Sequence, residues 1–464
     1  MENEAILDSG KRKKSKEIEI FEDYSVHKAV AAMALPTIVS QIIFVIYNLA
    51  DTWYVGLTEN ADAVAAISLC LPVYTMMSGI SNLFGIGGAS VLARAMGRGD
   101  IKQARKTFAY SIWSAFAIGL VYALLLACLN RPLLLTIGAD KDNIDYAMSY
   151  VFWTVIIGGI PTILAPTFGH LIRAVGFPKQ ASFGMILGAV LNIVLDPLFM
   201  FVILPAGNEV MGAAIATALS NLATLIYFCI YIFKGKKSEV YSLNPFEDKK
   251  SDGIIGEIVK AGIPGFCMIA LAMLSNCFLN SMLSSLGNEA VAGVGIVRKV
   301  DQLAYAVNQG ITQGMLPLVA YCYSSGRHKR MWSVVAFSAV CSEAFSIICT
   351  IISQIFAPEL ISMFIRDEAT IEYGQQFLRV ISSAIPIYTL TFVIIAVFQA
   401  VGRGSEPLIL SILHKGSIDI LLMFAILKAF GVSKITWASP VSEAIALLVG
   451  VIMIMRFRKK FQNN

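Results

Sequence analysis

Apolar runs of about 20–30 residues recur along the chain, divided by short polar segments. A run of that length crosses the hydrocarbon core of a bilayer as a helix, and the alternation of a β-barrel is absent. The pattern predicts twelve spanning helices, at about 28–55, 62–96, 107–128, 146–174, 181–203, 210–233, 257–285, 289–323, 331–356, 370–400, 406–430 and 436–456. Several exceed the span length and must tilt, kink or protrude. Residues 1–27 read as a polar N-terminal tail, 28–233 as helices 1–6, 234–256 as a polar linker, 257–456 as helices 7–12, and 457–464 as a second tail.

Composition agrees. Of 464 residues, 57% are apolar and 14% charged, against about 25% charged in soluble domains. The expected class is an all-α polytopic membrane protein. No cleavable signal is expected, because the first 27 residues are charged and carry Lys11, Arg12, Lys13 and Lys14. The eight cysteines fall in or at the ends of apolar runs, and no C-x-x-C pair occurs. They read as buried thiols, with no disulfide framework or metal site.

Charge sets the orientation. Twelve spans put both termini on one side, and that side collects 28 of the 36 Lys and Arg residues, Arg173 and Lys179 among them. The opposite loops hold five, and Arg298, Lys299 and Arg379 fall within spans. By the positive-inside rule both termini are cytoplasmic. The net charge of +5 then reflects loops facing anionic lipid rather than nucleic acid.

The halves repeat. Pro36 aligns with Pro264, Asn48 with Asn276, Gly87 with Gly314, Pro161 with Pro386, and AVG at 174–176 with AVG at 400–402. Each half has an even number of spans, so two pseudo-symmetric six-helix bundles should flank a central cleft. That is the plan of a transporter. No H-E-x-x-H, G-x-S-x-G or Walker motif occurs, so the protein is not expected to be an enzyme or to use a nucleotide. Transport would be driven by an ion gradient.

Asp51 lies inside the first apolar run, where a carboxylate costs roughly 2.5–3.5 kcal/mol on insertion scales. Its counterpart in the second half is Leu279. Asn192 and Asp196, four apart, share one face of the fifth helix, and Thr217 lies on the sixth. Carboxylates, an amide and a hydroxyl offer oxygens to a small hard cation such as Na⁺, and paired carboxylates can hold a proton instead. The choice between Na⁺ and H⁺ stays open, and no other cofactor is expected. In the second half, Arg298 and Asp301 are spaced to pair, as are Lys415 and Asp419. Glu343 and Glu443 also fall within spans and receive no role. Pro36, Pro161, Pro264 and Pro386 read as bending points or fixed kinks, and Gly85, Gly87 and Gly88 as a site of close helix approach.

YNLADTWYVG in the first helix, AVAAISLCLPV in the second, NLFGIGGASVLARAMGRGD at 82–100, LNIVLDPLFMF in the fifth, GAAIATALSN in the sixth and MLPLVAYCYSSGR in the eighth occur in order. Together they resemble the multidrug and toxic compound extrusion (MATE) family, in particular its MepA-like bacterial branch, over about residues 25–456. The resemblance implies a Na⁺- or H⁺-coupled antiporter that exports organic, often cationic and amphipathic, drugs by alternating access. It implies a multi-pass protein of the bacterial cytoplasmic membrane with drugs and lipid as its partners, and a two-lobed chain of this kind can work as a monomer. It also implies a cation site in the first lobe from Asp51, Asn192, Asp196 and Thr217. Gln41, Tyr47, Met76, Asn276, Asn280, Asp301, Gln302, Tyr305, Gln309 and Gln313 are candidates for the drug-binding cleft. The alternatives are a flippase for lipid-linked precursors, which would want a more cationic cavity, and a non-transporting sensor.

Overall fold

The computed structural model describes residues 16–58, 60–234, 238–245 and 253–462. The run Lys11–Lys14 and much of the 234–256 linker lie outside the described residues. Among those described, secondary structure is helical, with no strand. After a short helix Lys16–Glu22, the first lobe comprises α1 (Val26–Gly56), α2 (Ala61–Gly97), α3 (Ile101–Ile137), α4 (Ile144–Ile157 with Gly159–Ala174), α5 (Pro178–Ile203) and α6 (Glu209–Lys234). The second comprises α7 (Ile254–Leu283), α8 (Asn288–Ser324), α9 (His328–Ile355), α10 (Glu368–Ser382 with Ile385–Ala400), α11 (Ser405–Phe430) and α12 (Ala438–Gln462).

Eleven of these are apolar and long enough to span a membrane when each bent pair counts once. The twelfth, α8, fails on apolarity although it has 37 residues. Arg298, Lys299, Asp301, Gln302, Gln309 and Gln313 all lie on it. A helix this polar is stable among apolar neighbours only if the polar side chains face a cavity or one another. At 1.5 Å per residue, α2, α3 and α8 are each about 55 Å long and project beyond a hydrocarbon core of about 30 Å. α3 runs well past the expected limit of 128. It continues through Asn130, Arg131 and Pro132 and ends on Gly138, whose φ of +114° provides the left-handed cap.

The two lobes break at matched places. α4 bends by 49° at Gly158 and α10 by 43° at Ser383–Ala384. In each, the aligned proline, Pro161 or Pro386, sits just inside the second segment, where its missing N–H is no loss. Pro36 and Pro264 lie inside α1 and α7, which continue through them. Outside the spans, Asp367 starts α10. Its Oδ2 accepts from the Thr370 hydroxyl at 2.7 Å and the Thr370 amide at 2.8 Å, which holds the carboxyl below the usual carboxylate range.

The lobes meet reciprocally. α1 packs along α8, α2 along α7, and α2 meets α8 near the axis. This exchange of first and second helices is what a two-fold between the bundles requires. Small residues let the backbones close at the end that carries the Lys- and Arg-rich loops, here the basic end. The Ala34 Cα stands 2.8 Å, and the Ile38 Cα 2.7 Å, from where a Cβ would project on Gly314 and Gly310. Gly262 fits against the Leu83 backbone in the same way. Hydrogen bonds join the lobes there too, from Ser90 Oγ to the Gln399 carbonyl at 2.5 Å and from Arg94 Nη1 to the Val401 carbonyl at 3.4 Å. On the other half of α8, a Cβ on Gly295 would have no atom within 4 Å. The outer faces of the helices are apolar, with Val121, Leu124 and Leu125 on α3 and Ile347, Ile348 and Ile351 on α9 exposed. Such a contiguous apolar surface is a lipid-facing one.

Candidate functional site

Asn192 and Asp196 lie one turn apart on α5, where the helix is about to widen. Pro197 supplies no N–H, and Phe199–Ile203 continues as a π-helical turn. Asn192 Nδ2 donates to Asp196 Oδ1 at 3.1 Å and to Thr217 Oγ1 of α6 at 3.3 Å. All three residues are buried. Asp196 Oδ2 and Asn192 Oδ1 are buried as well, and neither accepts a hydrogen bond. An unsatisfied buried acceptor costs on the order of 1–3 kcal/mol, more when charged. The structure thus brings Asn192, Asp196 and Thr217 into direct contact, while Asp51 lies on α1, which packs along α5, and makes no hydrogen bond to them.

A cavity of about 260 Å³ lies between the lobes. Gln41 of α1 lines it from one side, and Gln302, Tyr305, Gln309 and Gln313 of α8 from the other. The spacing 302, 305, 309, 313 is one helical stripe, and Gln309 Nε2 donates to the Tyr305 hydroxyl at 2.8 Å. Tyr47 lines a side pocket beside Asn192 and Thr217. Phe44, Tyr74, Met185 and Asn221 line both spaces, so the cavity adjoins the carboxylate cluster. Beside Tyr74, Asn221 Nδ2 donates to Thr162 Oγ1 at 3.0 Å, tying α6 to α4. Met76, Asn276, Asn280 and Asp301 are not among the lining residues.

Asp301 turns into the second lobe, where the Tyr388 hydroxyl of α10 donates to it at 3.1 Å. Arg298, expected to pair with it, donates to the Asn276 carbonyl at 3.5 Å. Asp419 accepts from Ser275 of α7 and from Ser442 of α12. The Lys415 side chain, its expected partner, lies outside the described residues. His414 of α11 and Glu443 of α12 form a short, fully buried pair. Removing one member of a buried pair strands the other, at about 3–5 kcal/mol. We expect His414→Ala to lose that much stability in thermal unfolding of the detergent-solubilised protein. The double change of His414 and Glu443 to Leu should regain most of it, and an equal loss in both variants would show that the pair is not the cause.

Two residues at the cavity floor were not foreseen as site residues. His170 and Arg173, on the last turns of α4, line the cavity. By sequence Arg173 counts with the cytoplasmic loop charges, because Gly176 and Pro178 follow at once. The structure buries it to 4% exposure, with Nη1 donating to Gln313 Oε1 of α8 at 3.2 Å. One signal was available: the aligned AVG segments match Arg173 to Gln399, which lines the same floor.

Known proteins share this plan. The chain is 28% identical over 448 residues to the multidrug export protein MepA of Staphylococcus aureus (strain N315), covering 96% of this chain and 97% of that one. It is 26% identical over 447 residues to MepA of Staphylococcus haemolyticus (strain JCSC1435), with the same coverage. Among solved structures, the outward-facing conformation of a multidrug resistance MATE family transporter of the MOP superfamily superposes with a TM-score of 0.90. It shows 20% identity over 98% of this chain and 100% of that one. The MatE family pattern matches twice, over residues 36–198 and 264–424, each match starting on one of the aligned prolines. With the same pattern found in both lobes and most of the chain covered, this protein belongs to the MatE family.

Proposed function

We propose that the protein is a multidrug exporter of the cytoplasmic membrane, coupled to Na⁺ or H⁺ entry at the α5–α6 cluster. The observation that carries this is the pair of buried oxygens, Asp196 Oδ2 and Asn192 Oδ1, that accept no hydrogen bond. With Thr217 Oγ1 and the Asp51 carboxylate nearby, they form an all-oxygen set suited to Na⁺ or to a proton. The relatives are named multidrug export proteins, and the interlobe cavity suits such cargo, since Phe44, Val45, Met185 and Ile269 line it among amides, hydroxyls and tyrosines. Close packing at the basic end supports an outward-facing state, and alternating access would need a second state in which that end opens. Each ligand must then bind one state better than the other. The cation can do so through Tyr47 and Tyr74, which stand between its site and the cavity.

The test is flux of a fluorescent drug in proteoliposomes with an imposed Na⁺ or H⁺ gradient. Export that accelerates with one gradient is the expected outcome. Flux indifferent to both would remove the coupling, and binding without flux would favour the sensor reading. The flippase reading gains one observation, Arg173 at the cavity floor. A single guanidinium is little to offset a pyrophosphate, and Arg298 and Lys299 do not line the cavity. Complementation of a flippase-deficient strain would reinstate it.

A further inference from the structure

Among the described residues, the cavity lining contains no Asp or Glu. Its ionisable side chains, apart from tyrosine, are Arg173 and His170. The carboxylate expected near cargo, Asp301, accepts from Tyr388 instead, and Asp51 is not among the lining residues. Arg173 is 4% exposed, and among the described residues no carboxylate lies within salt-bridge distance of it. Its polar contacts are neutral: Gln313 Oε1 at 3.2 Å and His170 Nδ1 at 3.5 Å. Its Nε is buried and donates to nothing. A buried guanidinium without an anion is costly to keep. Its counterpart across the pseudo-two-fold is uncharged Gln399, so the floor is cationic on the first-lobe side only.

We infer that Arg173 is the anion subsite of the cavity, and that preferred cargo includes amphipathic compounds bearing an acidic group, a carboxylate above all. This deepens the exporter reading and rests on it. The guanidinium fork matches a carboxylate in two parallel hydrogen bonds. Gln313 and His170 steady the fork from α8 and α4, so an anion drawn to the floor would touch both lobes. Cargo of this kind carries its own counter-charge into a cavity that has none. A purely cationic drug would instead meet a like charge, which weakens binding.

The experiment compares a carboxylated amphipathic fluorophore with its methyl ester. Binding to purified wild-type protein in detergent, and flux in proteoliposomes, are measured for both. Wild type should bind the acid roughly tenfold more tightly than the ester, the scale of one charge-assisted contact. Arg173→Gln, which copies Gln399, should bring that ratio to about one, and Arg173→Lys should keep part of it. Equal binding of acid and ester by wild type would overturn the proposal. So would a fall in both affinities by the same factor in Arg173→Gln, which marks a structural role. Tighter binding of farnesyl pyrophosphate than of either probe would overturn it in favour of lipid-linked cargo. Binding of the acid with no flux of either probe would sink the exporter reading and leave the subsite standing.

Discussion

Asp196→Asn should reduce gradient-driven export to background while purified protein still binds drug. The substitution is nearly isosteric, and the new amide oxygen can still accept from Asn192 Nδ2, now at 3.1 Å from Asp196 Oδ1. Folding is therefore spared. The charge is lost, and with it the carboxylate that the proposed coupling uses to hold Na⁺ or a proton. Asp51→Asn should be milder, a loss of roughly tenfold, because Asp51 takes no part in the direct hydrogen bonds of the cluster. The measurement is initial flux in proteoliposomes under the gradient that drives wild type, with drug binding in detergent as the check on folding. Wild-type coupled flux in Asp196→Asn would remove the carboxylate from the mechanism.

Much of this site could be read from one sequence, for a physical reason. A charged residue in a bilayer-spanning run has few tolerated explanations, so Asp51 and Asp196 stood out, and the i, i+4 spacing placed Asn192 beside Asp196. The repeat then separated the lobes, since Leu279 stands where Asp51 has its counterpart and is buried among apolar neighbours of the second lobe. The stripe of Gln302, Tyr305, Gln309 and Gln313 was visible for a related reason: no lipid-facing helix carries so many amides.

What stayed hidden depends on tertiary pairing or on the ends of helices. Asp301 was expected in the cavity, but a preference between the cleft and Tyr388 is set by how α8 rotates against α10, which periodicity does not encode. His414 gave no signal, because its importance arises only when α12 brings Glu443 against it. Arg173 misled in the other direction. At a span edge, a basic residue is counted as loop by default, and only the fold shows that the last turn of α4 faces inward.

The second large effect concerns the interface that closes the basic end. Gly262→Val should cut transport at least tenfold with little loss of assembled protein, and Gly314→Val should do the same. The Leu83 Cα stands 2.9 Å from where a Cβ on Gly262 would project, and the Ala34 Cα stands 2.8 Å from that of Gly314. Both obstacles are backbone, which cannot rotate aside as a side chain can. Overpacking of a well-fitted contact costs about 1–3 kcal/mol, and 3 kcal/mol moves a two-state population by roughly a hundredfold. One apolar cluster runs across both lobes, but side chains away from the seam are fully buried within each, Phe108 and Phe228 in the first and Leu283 and Val297 in the second. The strain is therefore relieved by parting the lobes rather than by unfolding either one. Parting opens the cavity floor on the basic side, so a Cys placed at Gln313 in a cysteine-free background should become reactive to a membrane-impermeant maleimide from that side. Gly295→Val is the control, since a Cβ there meets nothing within 4 Å. If Gly262→Val transports and labels as Gly295→Val does, closure at these glycines does not limit the cycle. If instead it traps the protein with the floor open, the small-residue seam between α2 and α7 is what holds the outward-facing state together.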